Sequence, residues 1–312
     1  MIDEGSDLKR LFAVWLFAAC ATALPRIAHA ATDDPCAALT VESPQSDACD
    51  AAIDANPLPD LVRPTEYNPT VDGRSRPRSI LLPEHLPAYP IAWILKEWYY
   101  SEKPGVSLVV AKDRFLDRGQ LVLVYQSVKV KNFEWLLIGK GKWIPGEYVG
   151  VLHMPERPEK VSGRWITLDL SEQTLIASID DKPVFATLIS ASWNGYGFTH
   201  EGLFNIYART RSTTFRGPPW AKVPEYILDH VPDVMFFDGN VALHGAYWHN
   251  YFGYERSHGC VNIPVADEAW LWNWVSETAD QWGPDKNTFF LPHPEKAPFV
   301  YVYKSAKIKK TS

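Results

Sequence analysis

Apolar residues in the second half of the chain recur mostly with a period of two. Arg164-Trp165-Ile166-Thr167-Leu168-Asp169-Leu170 alternates apolar and polar positions, Ser171 to Gln173 make a turn, and Thr174 to Ile179 resume. That pattern predicts a hairpin of half-buried strands. Val184 to Ser190, Leu203 to Ala208, Val234 to Phe237 and Val241 to Leu243 add further strands, and Phe299 to Tyr303 closes the series. The period changes once, from Val265 to Ala279, where Trp270, Leu271 and Trp274 fall on neighbouring turns and predict one main helix. Between Ile91 and Leu152 the apolar runs are shorter: Ser107 to Ala111, Leu121 to Gln126, Glu134 to Ile138 and Tyr148 to Leu152. Gly139-Lys140-Gly141 and Pro145-Gly146 punctuate them. These runs predict a small β region over 91–155, and Leu136 to Val149, with Trp143 after a glycine turn, resembles bacterial SH3-like modules. Residues 31–90 lack an apolar period and are rich in proline from Pro57 to Pro90. They are expected as an extended linker carrying two cysteines. The fold class expected is mainly β.

Composition narrows the classes of function. With 46% apolar and 22% charged residues the chain is neither disordered nor membrane-embedded. A net charge of −6 lacks the basic footprint that displaces counterions from nucleic acid, so no nucleic-acid partner is expected. Lys304, Lys307, Lys309 and Lys310 read as a solvated basic tail. At the other end Lys9 and Arg10 precede an apolar stretch from Leu11 to Leu24, and Ala28-His29-Ala30 offers small residues at a cleavage site. This is a secretory signal pattern over 1–30. About 14 apolar residues fall short of the ~20 that span a bilayer, so no integral span is expected after cleavage. The protein is expected to be exported, to a periplasm or cell wall. Lipidation at Cys20 is the alternative, which Phe17 in Phe17-Ala18-Ala19 suits poorly. In an oxidising compartment Cys36 and Cys49, thirteen residues apart, most simply form a disulfide, which leaves Cys260 as a lone thiol.

The neighbours of Cys260 carry chemistry. Ser257-His258-Gly259-Cys260-Val261-Asn262 lies between an aromatic loop and the helix. Acyl transfer by a thiol needs a base, a group that orients the base, and donors for the oxyanion. His258 and His244 are both placed to be the base on spacing alone, and the amides of Gly259 and Cys260 are candidate oxyanion donors. A zinc shell of His244, His249, His258 and Cys260 is the rival reading, but the compact paired spacings of zinc ligands are absent. No metal or cofactor is expected.

His244-Gly245, a loop, and then Ser257-His258-Gly259-Cys260-Val261-Asn262 resemble the signature of the L,D-transpeptidase catalytic domain, the YkuD-like family. The flank Ala242 to Asn250 and the opening strand Trp165 to Leu175 with Gln173 are similar too. The resemblance covers about Gly163 to Tyr303, placing a catalytic domain over 160–305 behind the small β region. It implies a YkuD-like β-sandwich of mixed sheets with one main helix. It also implies Cys260 as nucleophile, His244 as base, and the Gly245 carbonyl as its orienting group. His258 would line the oxyanion side. Ser257 and Asn262 would hold the loop, and Tyr247 and Trp248, with Trp193, Tyr196 and Phe198, are candidate walls. The implied substrate is peptidoglycan: attack on the third residue of a tetrapeptide stem, loss of D-alanine, and transfer to an amine. An L,D-carboxypeptidase on the same fold and a non-catalytic wall-binding protein are the alternatives. The chain departs from the family at Thr199-His200-Glu201-Gly202, where many members have Thr-Pro-x-Gly.

Overall fold

A computed structural model describes residues 34–106, 110–192, 198–217, 226–282 and 289–305. The expected signal segment 1–30, Cys20, Trp193, Tyr196, Lys307, Lys309, Lys310 and most of the Ser107 to Ala111 run lie outside the described residues. Among those described, no helix is long and apolar enough to cross a membrane.

The alternating segments form two mixed sheets. The first, in spatial order, contains Ile80–Leu81, Lys182–Leu188, Thr174–Ile179, Arg164–Asp169, Phe299–Tyr303 and Gly202–Asn205. Its one parallel pair sets Trp165 opposite Phe299 and Asp169 opposite Tyr303. The second contains Ser190–Ala191, Val261–Ile263, Val241–Gly245, Ile227–Asp238 and Ala208–Arg216. Here too one pair is parallel, Val241–Gly245 beside Val261–Ile263. Period-two patterning sends alternate side chains to opposite faces. Ile166, Leu168 and Phe185 of the first sheet therefore meet Met235, Leu243 and Val261 of the second in one core, closed by Leu271, Trp274 and Val275 of the helix Val265–Ser276. Each such side chain, fully buried, contributes ~1.5–3 kcal/mol. The sandwich of mixed sheets with one main helix is as the sequence implied.

The small β region folds as three short sheets. Leu121–Leu123, Ile91–Ile94 and Val149–Val151 form one, Trp98–Tyr99 with Phe115–Leu116 a second, and Gln126–Val130, Phe133–Leu137 and Trp143–Pro145 a third. Ile94, Val122, Leu136, Ile144 and Val149 make their common core.

Residues 34–90 differ from the extended linker expected. A helix runs Asp47–Ala55, opened by Ser46, whose side chain accepts the Cys49 N–H. Cys36 and Cys49 are joined by a disulfide, with Cα atoms 4.6 Å apart. Both cysteines, Leu39, Ile53, Ile80, Leu82 and Tyr89 are buried in a cluster with Trp93, Leu123 and Trp143 of the β region and Leu188 and Phe252 of the sandwich. Ile80–Leu81 pairs with Phe185–Ala186 as an edge strand. The prolines suppress regular structure without preventing burial, because an extended chain can lay isolated side chains into a seam.

Polar bonds fasten the same segment. Asp267, fully buried in the first turn of the main helix, accepts from Thr65 Oγ1 at 2.6 Å, Ser79 Oγ at 2.6 Å, the Arg78 N–H at 2.8 Å and Thr187 Oγ1 at 2.7 Å. The Val265 N–H donates to Ser75 Oγ at 2.9 Å, which satisfies one orphan donor of the helix start.

Candidate active site

The parallel pair in the second sheet positions the chemistry. Leu243 lies opposite Val261, His244 opposite Asn262, and Gly245 opposite Ile263. Leu243, Val261 and Ile263 point into the sandwich core. By alternation Ala242, His244, Cys260 and Asn262 belong to the other face. Ala242 and Cys260 pack there against Phe215, Val231, Val234 and Trp248.

His244 is buried, and its Nδ1 lies 3.2 Å from the Gly245 carbonyl oxygen. A carbonyl only accepts, so the ring proton sits on Nδ1 and the basic lone pair is on Nε2. A Cβ on Gly245 would stand 2.9 Å from Pro232 Cγ and 3.4 Å from Val265 Cα, so only glycine fits without a shift. The Phe215 ring lies 5.0 Å from the imidazole edge to face, and Trp248 lies 5.8 Å away. Burial among these groups pushes the His244 pKa down to about 4, partly offset by the Gly245 bond.

The Cys260 thiol donates to the Asn240 carbonyl oxygen at 3.6 Å. Burial pushes its pKa up to about 11, with the Ala242 backbone acting in the opposite direction. Thiol and imidazole are therefore both neutral at pH 7. Of the two ways a histidine can serve this cysteine, a standing thiolate–imidazolium pair is disfavoured. Proton removal during attack is what the electrostatics permit.

The turn before Cys260 is bound on several sides. Ser257 Oγ donates to the Cys260 carbonyl and accepts the Gly259 N–H at 3.2 Å, while the Ser257 N–H reaches the Ser192 carbonyl at 2.9 Å. The Gly259 amide, expected as an oxyanion donor, is thus turned inward to Ser257. Thr199 Oγ1 donates to the Gly259 carbonyl at 2.7 Å and the Thr199 N–H to Ser192 Oγ at 2.9 Å. The segment that departs from the family pattern is therefore packed directly on the cysteine turn.

His258 stacks on Tyr226 with centroids 5.1 Å apart, and burial lowers its pKa. Asn262 Nδ2 faces His249 Nε2 at 2.9 Å, and His249 Nδ1 accepts the Tyr251 N–H at 3.1 Å. His249 is thus committed to the loop and not to a zinc shell. Among the described residues no three His, Cys, Asp or Glu side chains are grouped to hold a metal. Tyr247 OH donates to the Asp229 carbonyl at 2.7 Å, Trp248 borders the imidazole, and Phe198 is exposed. Sequence reading missed Thr199, Phe215 and Tyr226. Phe215 lies in, and Tyr226 directly beside, the ribbon of Ala208–Arg216 and Ile227–Asp238, whose polar residues and Pro232 hide its strand pattern.

Fold and site define a mainly β domain that presents an imidazole on one strand and a thiol at the entry to the parallel strand beside it. Residues 163–288 match the family model of the L,D-transpeptidase catalytic domain, YkuD. Similar solved structures include an L,D-transpeptidase from Stackebrandtia nassauensis, 20% identical over 48% of this chain and 58% of that one, with a TM-score of 0.33. The catalytic domain of the E. faecium L,D-transpeptidase is 22% identical over 46% and 98%, with a TM-score of 0.35. An L,D-transpeptidase from Mycobacterium smegmatis is 13% identical over 79% and 100%, with a TM-score of 0.36. No curated protein matches the chain in sequence.

Proposed function

We propose that the protein is an exported peptidoglycan L,D-transpeptidase in which Cys260 is the nucleophile and His244 its base. The observation that carries this reading is the parallel pairing of the His244 strand with the strand that Cys260 immediately precedes, Cys260 packing with the Trp248 that borders the imidazole and the tautomer being fixed by the Gly245 carbonyl. Sγ attacks the carbonyl carbon of the third residue of a tetrapeptide stem while Nε2 takes the thiol proton. The Cys260 amide stabilises the oxyanion, with His258 beside it. The carbon–nitrogen bond to the terminal D-alanine breaks, the imidazolium returns its proton to the leaving amine, and a thioester remains. An amine of a second stem then attacks the thioester, gives its proton to His244, and releases the crosslinked product. The returned proton regenerates the thiol. Ser257, Asn262 and Thr199 hold the turn. The disulfide supports a location outside the cytoplasm.

Incubating the purified protein with disaccharide-tetrapeptide and weighing the products tests the reading. Crosslinked dimers are expected with the native chain, and a loss of about 10²- to 10⁴-fold with His244→Ala. Trimmed monomers in place of dimers would make the enzyme a carboxypeptidase, and no product would sink the catalytic reading.

A further inference from the structure

A recess lies at the seam between the small β region and the loop that leads to Cys260. It is a cleft of about 430 Å³, within the size range of small-ligand sites. Lys96, Arg118 and Arg256 line it, and Tyr148, Tyr251 and Tyr254 supply ring surface. The one acid in the lining is Glu97. The cations are occupied with rings and backbone: Lys96 Nζ lies 5.0 Å from the rings of Trp98 and Tyr148, and the Arg256 guanidinium lies 4.1 Å over Tyr251. Arg118 donates to the Asn250 carbonyl. Among the described residues none of the three forms an ion pair with a carboxylate within 4.0 Å. Further positive charge lies near Arg118, since Arg78 feels Arg118, Arg63 and Arg76 as well as Asp267, while Glu97 acts on Arg118 from within the lining.

The cleft is built rather than incidental. Gly253 has φ +93°, and a Cβ there would lie 2.3 Å from Leu95 Cδ2, so the turn before Tyr254 is seated against the β region in a way other residues cannot follow. The Gly253 N–H is bonded to the Ile189 carbonyl at 2.7 Å, and Ser190 Oγ donates to the Tyr254 carbonyl at 2.6 Å. Arg256 is four residues from Cys260, which limits their Cα separation to at most ~14 Å.

From this juxtaposition we infer that the cleft is an accessory binding site for an anionic glycopeptide, with carboxylates on Lys96, Arg118 and Arg256 and a sugar face on the tyrosines. It rests on the proposed transpeptidase reading for its source of ligand: a peptidoglycan strand whose stem reaches the thiol a short peptide length away. Cations without a carboxylate within 4.0 Å favour carboxylates, and tyrosine rings beside them favour the apolar faces of sugar rings.

The test uses the full chain with Cys260→Ala, which binds without turnover, and titrates it calorimetrically with disaccharide-tetrapeptide. The doubly substituted Lys96→Gln, Arg256→Gln protein and the Tyr251→Ala protein are each expected to bind at least about tenfold more weakly, and native affinity is expected to fall with added salt. Unchanged affinity in both variants, or no binding by the native cleft, overturns the inference. Binding that depends on the cleft in a protein that forms no crosslinked product would leave the inference standing and remove the transpeptidase reading. Crosslinking with KM unchanged in the cleft variants would do the reverse.

Discussion

Cys260 and His244 have pKa values displaced in opposite directions, to about 11 and about 4. Most activated cysteines show the reverse displacement, with the thiol lowered by a cationic neighbour. Here burial on the sheet face disfavours both charged forms, so the pair stays neutral until substrate replaces solvent and the proton can move. The thiol is therefore expected to react with iodoacetamide with a midpoint near pH 11. At pH 8 it should react about a hundredfold more slowly than an ordinary cysteine, since two pKa units separate them. The sign for stability follows: a thiol held protonated stabilises the fold below its unfolded value near 9 and loses that contribution as pH rises through 11. His244, held neutral, contributes above 6.5 and loses its share as pH falls toward 4. An alkylation midpoint below pH 7 would show a standing ion pair and refute the neutral resting state.

Among the elements, the helix Val265–Ser276 depends most on partners remote in sequence. Its apolar face was legible from Leu271 and Trp274, yet Asp267 in the same helix is fully buried and serves four donors. An acid in a helix's first turn ordinarily reads as a surface residue that suits the dipole. Periodicity reports apolar faces and says nothing of a carboxylate that gathers hydroxyls from Thr65, Ser79 and Thr187. For the same reason the strand that ends at His244 was legible from Val241 to Leu243, while Val261–Ile263, which follows Cys260, is too short to show a period, and Thr199 contributes only a hydroxyl bonded to the Gly259 carbonyl. Asp267→Ala would strand buried donors at ~1–3 kcal/mol each, with incomplete additivity. A loss of at least about 3 kcal/mol in urea unfolding is expected, and a loss under 1 kcal/mol would mean that these bonds are replaceable.

For the whole molecule, residues 34–90 bind the small β region to the sandwich. The cluster around the disulfide draws side chains from all three parts, and the 72–78 stretch supports the loop bearing Tyr247 and Asn250. The Arg74 N–H reaches the Tyr247 carbonyl at 2.9 Å and the Arg76 N–H reaches Asn250 Oδ1 at 3.3 Å. This segment defeated sequence reading because its buried residues, such as Cys36, Leu39, Ile53 and Ile80, are too scattered for any period. A fragment of residues 160–305 is expected to lack near-UV circular dichroism and to bind a hydrophobic dye, because it bares Leu188 and Phe252 and leaves Asp267 without most of its donors. A fragment that unfolds cooperatively would show the sandwich to be self-sufficient.

The clasp at Asp267 also sets the order of events during synthesis. The Arg78 N–H and the carboxylate it binds are separated by 189 positions in the chain. At ~5–20 residues per second, the segment that emerges first waits roughly ten seconds or more for its partner to be made. Throughout that interval the apolar side chains of the seam are uncovered, so a newborn chain is most exposed to aggregation and proteolysis before its last third exists.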